Sequence, residues 1–107
     1  MSGEAGAPPR VAFFAPMKPP GAARPSGDRR IARLTLAALE AAGFAPFVAS
    51  ELRTLEMAGE AGAQAAIRAA AEAEAARLGR ALAAAPPALW FTYHCYWKAP
   101  DLIGPAV

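Results

Sequence analysis

Three short apolar runs, Val11-Ala-Phe-Phe-Ala15, Phe44-Ala-Pro-Phe-Val-Ala49 and Ala88-Leu-Trp-Phe-Thr-Tyr93, are separated by two stretches with helical patterning, and that alternation leaves few folds open. Short apolar runs bounded by turn residues suit strands buried on both faces. Strand, helix, strand, helix, strand at this spacing predicts parallel strands joined by right-handed crossovers. The expected class is α/β: a partial Rossmann-like three-layer sandwich built on a parallel sheet of three strands. With the first strand central and the chain returning to its far side after the second helix, the strand order is 2-1-3. The topological switch then lies between strands one and three, where open α/β sheets bind ligands at their carboxyl edge.

The segments between the runs have their own signals. Pro16 closes the first run, and Met17 to Asp28 is too rich in proline and glycine for regular structure, which makes it a loop of a length that is often functional. A helix follows from Asp28, capped by Ser26 or Asp28, with Ile31, Leu34 and Ala38 on one face beside Ala41 and Ala42, and stopped by Gly43. The second strand is expected to start after Pro46 and to end at Ser50-Glu-Leu-Arg53. Residues 51–61 read as a shorter helical lead-in to an alanine-rich helix over roughly Gly62 to Ala84. Ile67, Leu78 and Leu82 are its large apolar contacts, and Arg68, Glu72, Glu74, Arg77 and Arg80 face solvent. Pro86-Pro87 end that helix.

At 107 residues the chain holds one domain at most, 11–107, after a disordered tail over 1–10. The net charge of +2 is too small, and the arginines too scattered, for a nucleic-acid binder. A single cysteine, Cys95, excludes an internal disulfide and fits a reducing compartment. Residues 1–10 lack the charged-then-apolar order of a signal peptide, and no run reaches the roughly 18 to 20 apolar residues of a membrane span, so a cytoplasmic location is expected, with membrane association left open.

Topology alone brings the loop 16–28 and the turn 94–98 to one crevice. His94, at a strand's carboxyl end, is suited to hydrogen-bond a sugar hydroxyl or steady developing charge; a strand-end residue bonded to backbone is the plainer account. Ser26, Gly27, Asp28 and Arg29, with Arg30 and Arg33, place backbone N–H groups and cations at a helix N-terminus, which favours an anion such as a diphosphate. An ordinary cap with solvated arginines explains the same pattern. Lys18 and Arg24 lie in the loop, within reach of a phosphate or of water. Tyr93, Tyr96 and Trp97 are suited to stack on a sugar face or to pack as core. Lys98 closes the turn. Asp101 and Glu51 are carboxylates that nothing in the sequence pairs, and Asp101 reads as a first-turn residue of a helix led by Pro100.

Val11-Ala-Phe-Phe-Ala-Pro-Met-Lys-Pro-Pro20, Pro25-Ser-Gly-Asp-Arg29, Ala49-Ser50-Glu-Leu-Arg53 and Thr92-Tyr-His-Cys-Tyr-Trp-Lys-Ala-Pro-Asp-Leu-Ile-Gly-Pro105 together resemble the N-terminal segment of bacterial glycosyltransferases with two Rossmann domains (GT-B), close to glycosyltransferase family 4. The resemblance implies that residues 11–107 are an incomplete acceptor-side domain, the front part of a larger enzyme whose missing C-terminal domain holds most of the nucleotide-sugar donor. It implies transfer of a sugar from that donor to a glycan or other hydroxyl acceptor, with no separate cofactor and no obligatory metal. His94 would be the catalytic residue, and Lys18, Ser26, Gly27, Asp28, Arg29, Tyr93, Tyr96 and Lys98 the substrate-binding ones. The alternative is a stand-alone, non-catalytic Rossmann-like binding or interaction module.

Overall fold

The computed structural model describes residues 7–24, 26–94 and 97–107. In chain order these form β1 (Arg10–Phe14), α1 (Gly27–Ala41), β2 (Ala45–Ser50), α2 (Ala61–Ala84), β3 (Leu89–Thr92) and a 3-10 turn, Gly104–Ala106. The sheet is parallel, with the expected order β2-β1-β3. Central β1 is buried along its apolar length, and its side chains alternate between two cores. Ala12 and Phe14 point to one, shared with Ala71, Leu78 and Leu82 of α2 and with Ile103. Phe13 and Ala15 point to the other, shared with Ala32 of α1. The helices thus cover opposite faces, and the chain is a small Rossmann-like α/β layer. Aromatic pairs tie β1 to β3 on both sides: Phe13 stacks on Phe91 with ring centroids 5.7 Å apart, and Phe14 meets Trp90 at 5.9 Å.

Several local expectations are corrected. Strand β2 begins at Ala45 and contains Pro46 rather than starting after it. The Ala45 N–H points inward to Pro9 O, so the next nitrogen faces the open edge, where a missing N–H costs no ladder bond. Ser26, not Asp28, caps α1, its hydroxyl accepting from Arg29 N at 3.1 Å. Gly43 stops α1 as expected, with a left-handed φ of 98°. The buried stripe of α1 is Ala32, Leu36 and Leu39, whereas Ile31, Leu34, Ala38, Ala41 and Ala42 are exposed. Both stripes are apolar at helical spacing, and the fit on Phe13 and Phe91 selects between them.

Residues 51–60 form no helix. Thr54 holds them extended across the carboxyl edge, its N–H donating to Pro16 O at 2.9 Å and its hydroxyl to Pro100 O at 2.7 Å. Leu78 and Leu82 of α2 are buried and Ile67 half-buried. Glu74 turns inward instead of to solvent, accepting hydrogen bonds from the Ser50 hydroxyl and from Arg77. Asp101 is not in a helix. Its Oδ1 accepts from Ile103 N at 2.9 Å and Gly104 N at 2.7 Å, and its Oδ2 from Trp90 Nε1 at 2.9 Å and Thr92 Oγ1 at 2.6 Å. This clamp folds the segment after Pro100 back on the sheet and buries Ile103 completely.

Candidate functional site

At the carboxyl edge the chain leaves β1 into the loop 15–26 and leaves β3 at Tyr93. The loop is tied down despite its prolines: Arg53 Nε donates to Met17 O at 2.7 Å, and Arg33 Nε to Pro20 O at 2.8 Å. Arg33 therefore serves the loop. Tyr93 N continues the β3 pairing to Phe14 O, and the backbone then turns sharply at His94, whose φ of 62° is left-handed.

That turn delivers the imidazole to the first turn of α1. His94 Nδ1 lies 2.9 Å from Asp28 Oδ1, across 66 positions of sequence. An ionised carboxylate only accepts, so Nδ1 carries the proton, and in the neutral ring Nε2 is then the acceptor nitrogen. The Tyr93 ring meets the imidazole edge-on at 5.5 Å. Its phenol is pushed above its ordinary value by burial and by the nearby Asp28 charge. Asp28, Tyr93 and His94 are thus brought together at the switch between β1 and β3, where topology placed them.

Ser26, Gly27, Arg29, Arg30, Arg33 and Leu34 line an open cleft of about 660 Å³ at the α1 N-terminus. A Cβ on Gly27 would meet nothing within 4 Å, so no protein group demands glycine there. The Nε atom of Arg29 is buried without a hydrogen-bond partner among the described residues. Lys18 is half-buried in the loop, and among the described residues no contact joins it to the His94 pair. Arg24 is exposed.

Lys98 Nζ sits 4.8 Å from the centre of the Trp97 ring and 3.4 Å from Met57 O. Both residues line a smaller cavity of about 160 Å³ with Glu56, Gln64, Arg68 and Leu102. Lys98 therefore belongs to a different subsite from Asp28 and His94. Tyr96 and Cys95 lie outside the described residues. Asp101 is engaged in its clamp, and the Glu51 carboxylate lies against Gly21, so the two do not form a catalytic pair. Arg68 is exposed, as its place on the solvent side of α2 predicts, and Gln64 is exposed as well. Both nonetheless line this cavity, whose opposite wall comes from distant parts of the chain.

Among the described residues no group of three or more His, Cys, Asp or Glu side chains is arranged to hold a metal ion. No helix among them is long and apolar enough to cross a membrane. No family model matches the chain, and no match to it was found among curated proteins or among solved structures.

Proposed function

We propose that this chain supplies the acceptor side of a GT-B glycosyltransferase, in the cytoplasm, with a nucleotide-sugar as donor and a glycan or other hydroxyl compound as acceptor. The observation that carries this reading is the 2.9 Å contact between His94 Nδ1 and Asp28 Oδ1 at the switch crevice. A carboxylate that fixes the imidazole through Nδ1 aims Nε2 as a hydrogen-bond acceptor, the orientation required to receive a hydroxyl. The acceptor oxygen would attack the anomeric carbon as the bond to the diphosphate breaks. The hydroxyl proton moves to His94, and the electron pair leaves with the nucleoside diphosphate. The α1 N-terminus, with Arg29 and Arg30 beside it, favours an anion at the same edge. The remaining donor contacts belong to the second Rossmann domain that the resemblance implies.

The test uses the protein tagged at its native locus and purified as it occurs in the cell. Nucleoside diphosphate release is followed with a panel of nucleotide-sugars and hydroxyl acceptors. Release that falls about 100-fold or more in His94→Ala supports the reading, that being the lower range of what a positioned acid or base contributes. Release that ignores His94, or none with any donor, rejects it. The second reading, a non-catalytic binding module, is favoured by one observation: Ile103 and the Asp101 clamp close the α2-side core from within residues 99–107. It is expected to show binding without release.

A further inference from the structure

We infer that the cavity between α2 and the Trp97 turn binds one sugar ring, stacked on the Trp97 indole and hydrogen-bonded through its hydroxyls to Gln64 and Arg68. The inference rests on the proposed glycosyl-transfer reading in that it names the chemistry of the acceptor next to His94. Trp97 is 81% exposed, an unusual position for the largest apolar side chain in a described region whose other tryptophan is half-buried and doubly hydrogen-bonded. Lys98 covers one face of the indole and leaves one for a ligand. The volume of about 160 Å³ is roughly half the lower end of ordinary ligand pockets, which run from about 300 Å³. A single ring fits where a nucleotide does not.

The polar lining decides the kind of ring. The Gln64 amide and the Arg68 guanidinium make no hydrogen bond among the described residues, and Glu56 spends one carboxylate oxygen on Glu60 N. Lys98 is already engaged by Met57 O and the indole. What remains is a mixture of donors and acceptors with one cation and one anion. That set suits a neutral polyhydroxylated ring, because each vicinal hydroxyl both gives and takes a hydrogen bond. A phosphate would have Glu56 against it. Ile67, Pro100 and Leu102 supply an apolar wall. Only two residues separate Trp97 from His94, so their Cα atoms are within about 11 Å, and a short glycan lying on Trp97 reaches the imidazole.

The test is a proton–nitrogen NMR titration of the 107-residue chain with the methyl glycosides of glucose, galactose, mannose and N-acetylglucosamine. Saturable shifts of the Trp97 indole N–H and the Gln64 side-chain amide, with the Trp90 indole unmoved, are expected for at least one glycoside. Gln64→Ala, an exposed change that leaves Trp97 in place, should weaken binding several-fold. No saturable shift up to the solubility of every glycoside, or a Gln64 amide shift that survives Trp97→Ala, would overturn the inference. His94-dependent transfer in the native protein without Trp97 shifts sinks the sugar site alone. Trp97 shifts without any transfer uphold the sugar site and sink the transferase reading.

Discussion

Gly104 lies so close to Trp90 that a Cβ added to it would stand 2.5 Å from the indole Nε1 and 2.6 Å from Asp101 Oδ2. The indole and the carboxylate are held together by their own hydrogen bond, so neither can retreat without breaking the clamp that buries Ile103. Gly104→Ala is therefore expected to cost about 1–3 kcal/mol, the range for overpacking a filled site. Asp101→Ala should cost about 3 kcal/mol or more, because it strands the Thr92 hydroxyl proton and two backbone N–H groups and leaves Trp90 Nε1 with Thr92 Oγ1 alone. Asp101→Asn separates shape from charge: Oδ1 can still serve Ile103 and Gly104, but the new NH₂ group faces the Trp90 N–H donor to donor. Urea unfolding of the three variants should rank Asp101→Ala as the most destabilised.

His94 carries two effects that a pair of substitutions separates. Its φ of 62° imposes a backbone penalty of about 1–2 kcal/mol on a residue with a Cβ, while its ring gains the contact with Asp28. Both His94→Ala and His94→Gly remove the contact, but only glycine also removes the penalty, offset in part by its greater freedom when unfolded. The glycine variant is expected to melt above the alanine variant. Equal melting temperatures would mean that the turn relaxes when the ring is lost. A left-handed histidine kept at a strand end also fits a side chain placed for binding, since strain of this kind gathers at such sites.

The parallel layer is legible because the three apolar runs are short and clearly bounded, and right-handed crossovers leave few strand orders, of which 2-1-3 is one. The convergence of the loop after β1 with the end of β3 follows from that order without any motif, and the structure adds the pairing of Asp28 with His94. What was not legible depended on side-chain choices that topology does not make. Two apolar stripes compete on α1, and only the aromatic surface of β1 and β3 decides which is buried. Pro100 gives Asp101 the look of a helix-start residue, yet two donors on β3 compete for the same carboxylate. Gln64 and Arg68 carry no linear signal, since the turn that makes them a wall lies some thirty residues further along the chain.

Glu74 makes stability depend on acid. Arg77 holds its carboxyl below the ordinary value of 4.5, chiefly through their hydrogen bonds, with the Ser50 hydroxyl assisting and partial burial opposing. The folded protein therefore binds fewer protons here than the unfolded chain once the pH approaches 4.5. The stabilisation is complete above that value and is lost as pH falls through the lower, folded one. Glu60 adds to the same window, its carboxylate accepting from Ala63 N and Gly62 N at the start of α2. Urea midpoints measured from neutral pH downward should fall more steeply in the natural chain than in Glu74→Gln. An unchanged slope would place the acid sensitivity elsewhere.

The two stripes of α1 make opposite predictions for neighbouring leucines. Leu36 packs against the Phe13 and Ala32 core, whereas Leu34 is 54% exposed and lies beside the cleft at the helix N-terminus. Truncating a leucine removes the same atoms at either place, so the difference measures burial alone. Leu36→Ala is expected to cost about 2 kcal/mol, near the low end for buried leucines because the side chain is half-covered. Leu34→Ala should stay within about 0.5 kcal/mol, as surface changes do. The comparison is made in one host helix, where propensity is common to both variants. A large loss at position 34 with none at 36 would mean that α1 is rotated by about 160°, the angle between positions two residues apart at about 100° per residue. Asp28 would swing by the same angle, away from His94, and the candidate site would come apart with it.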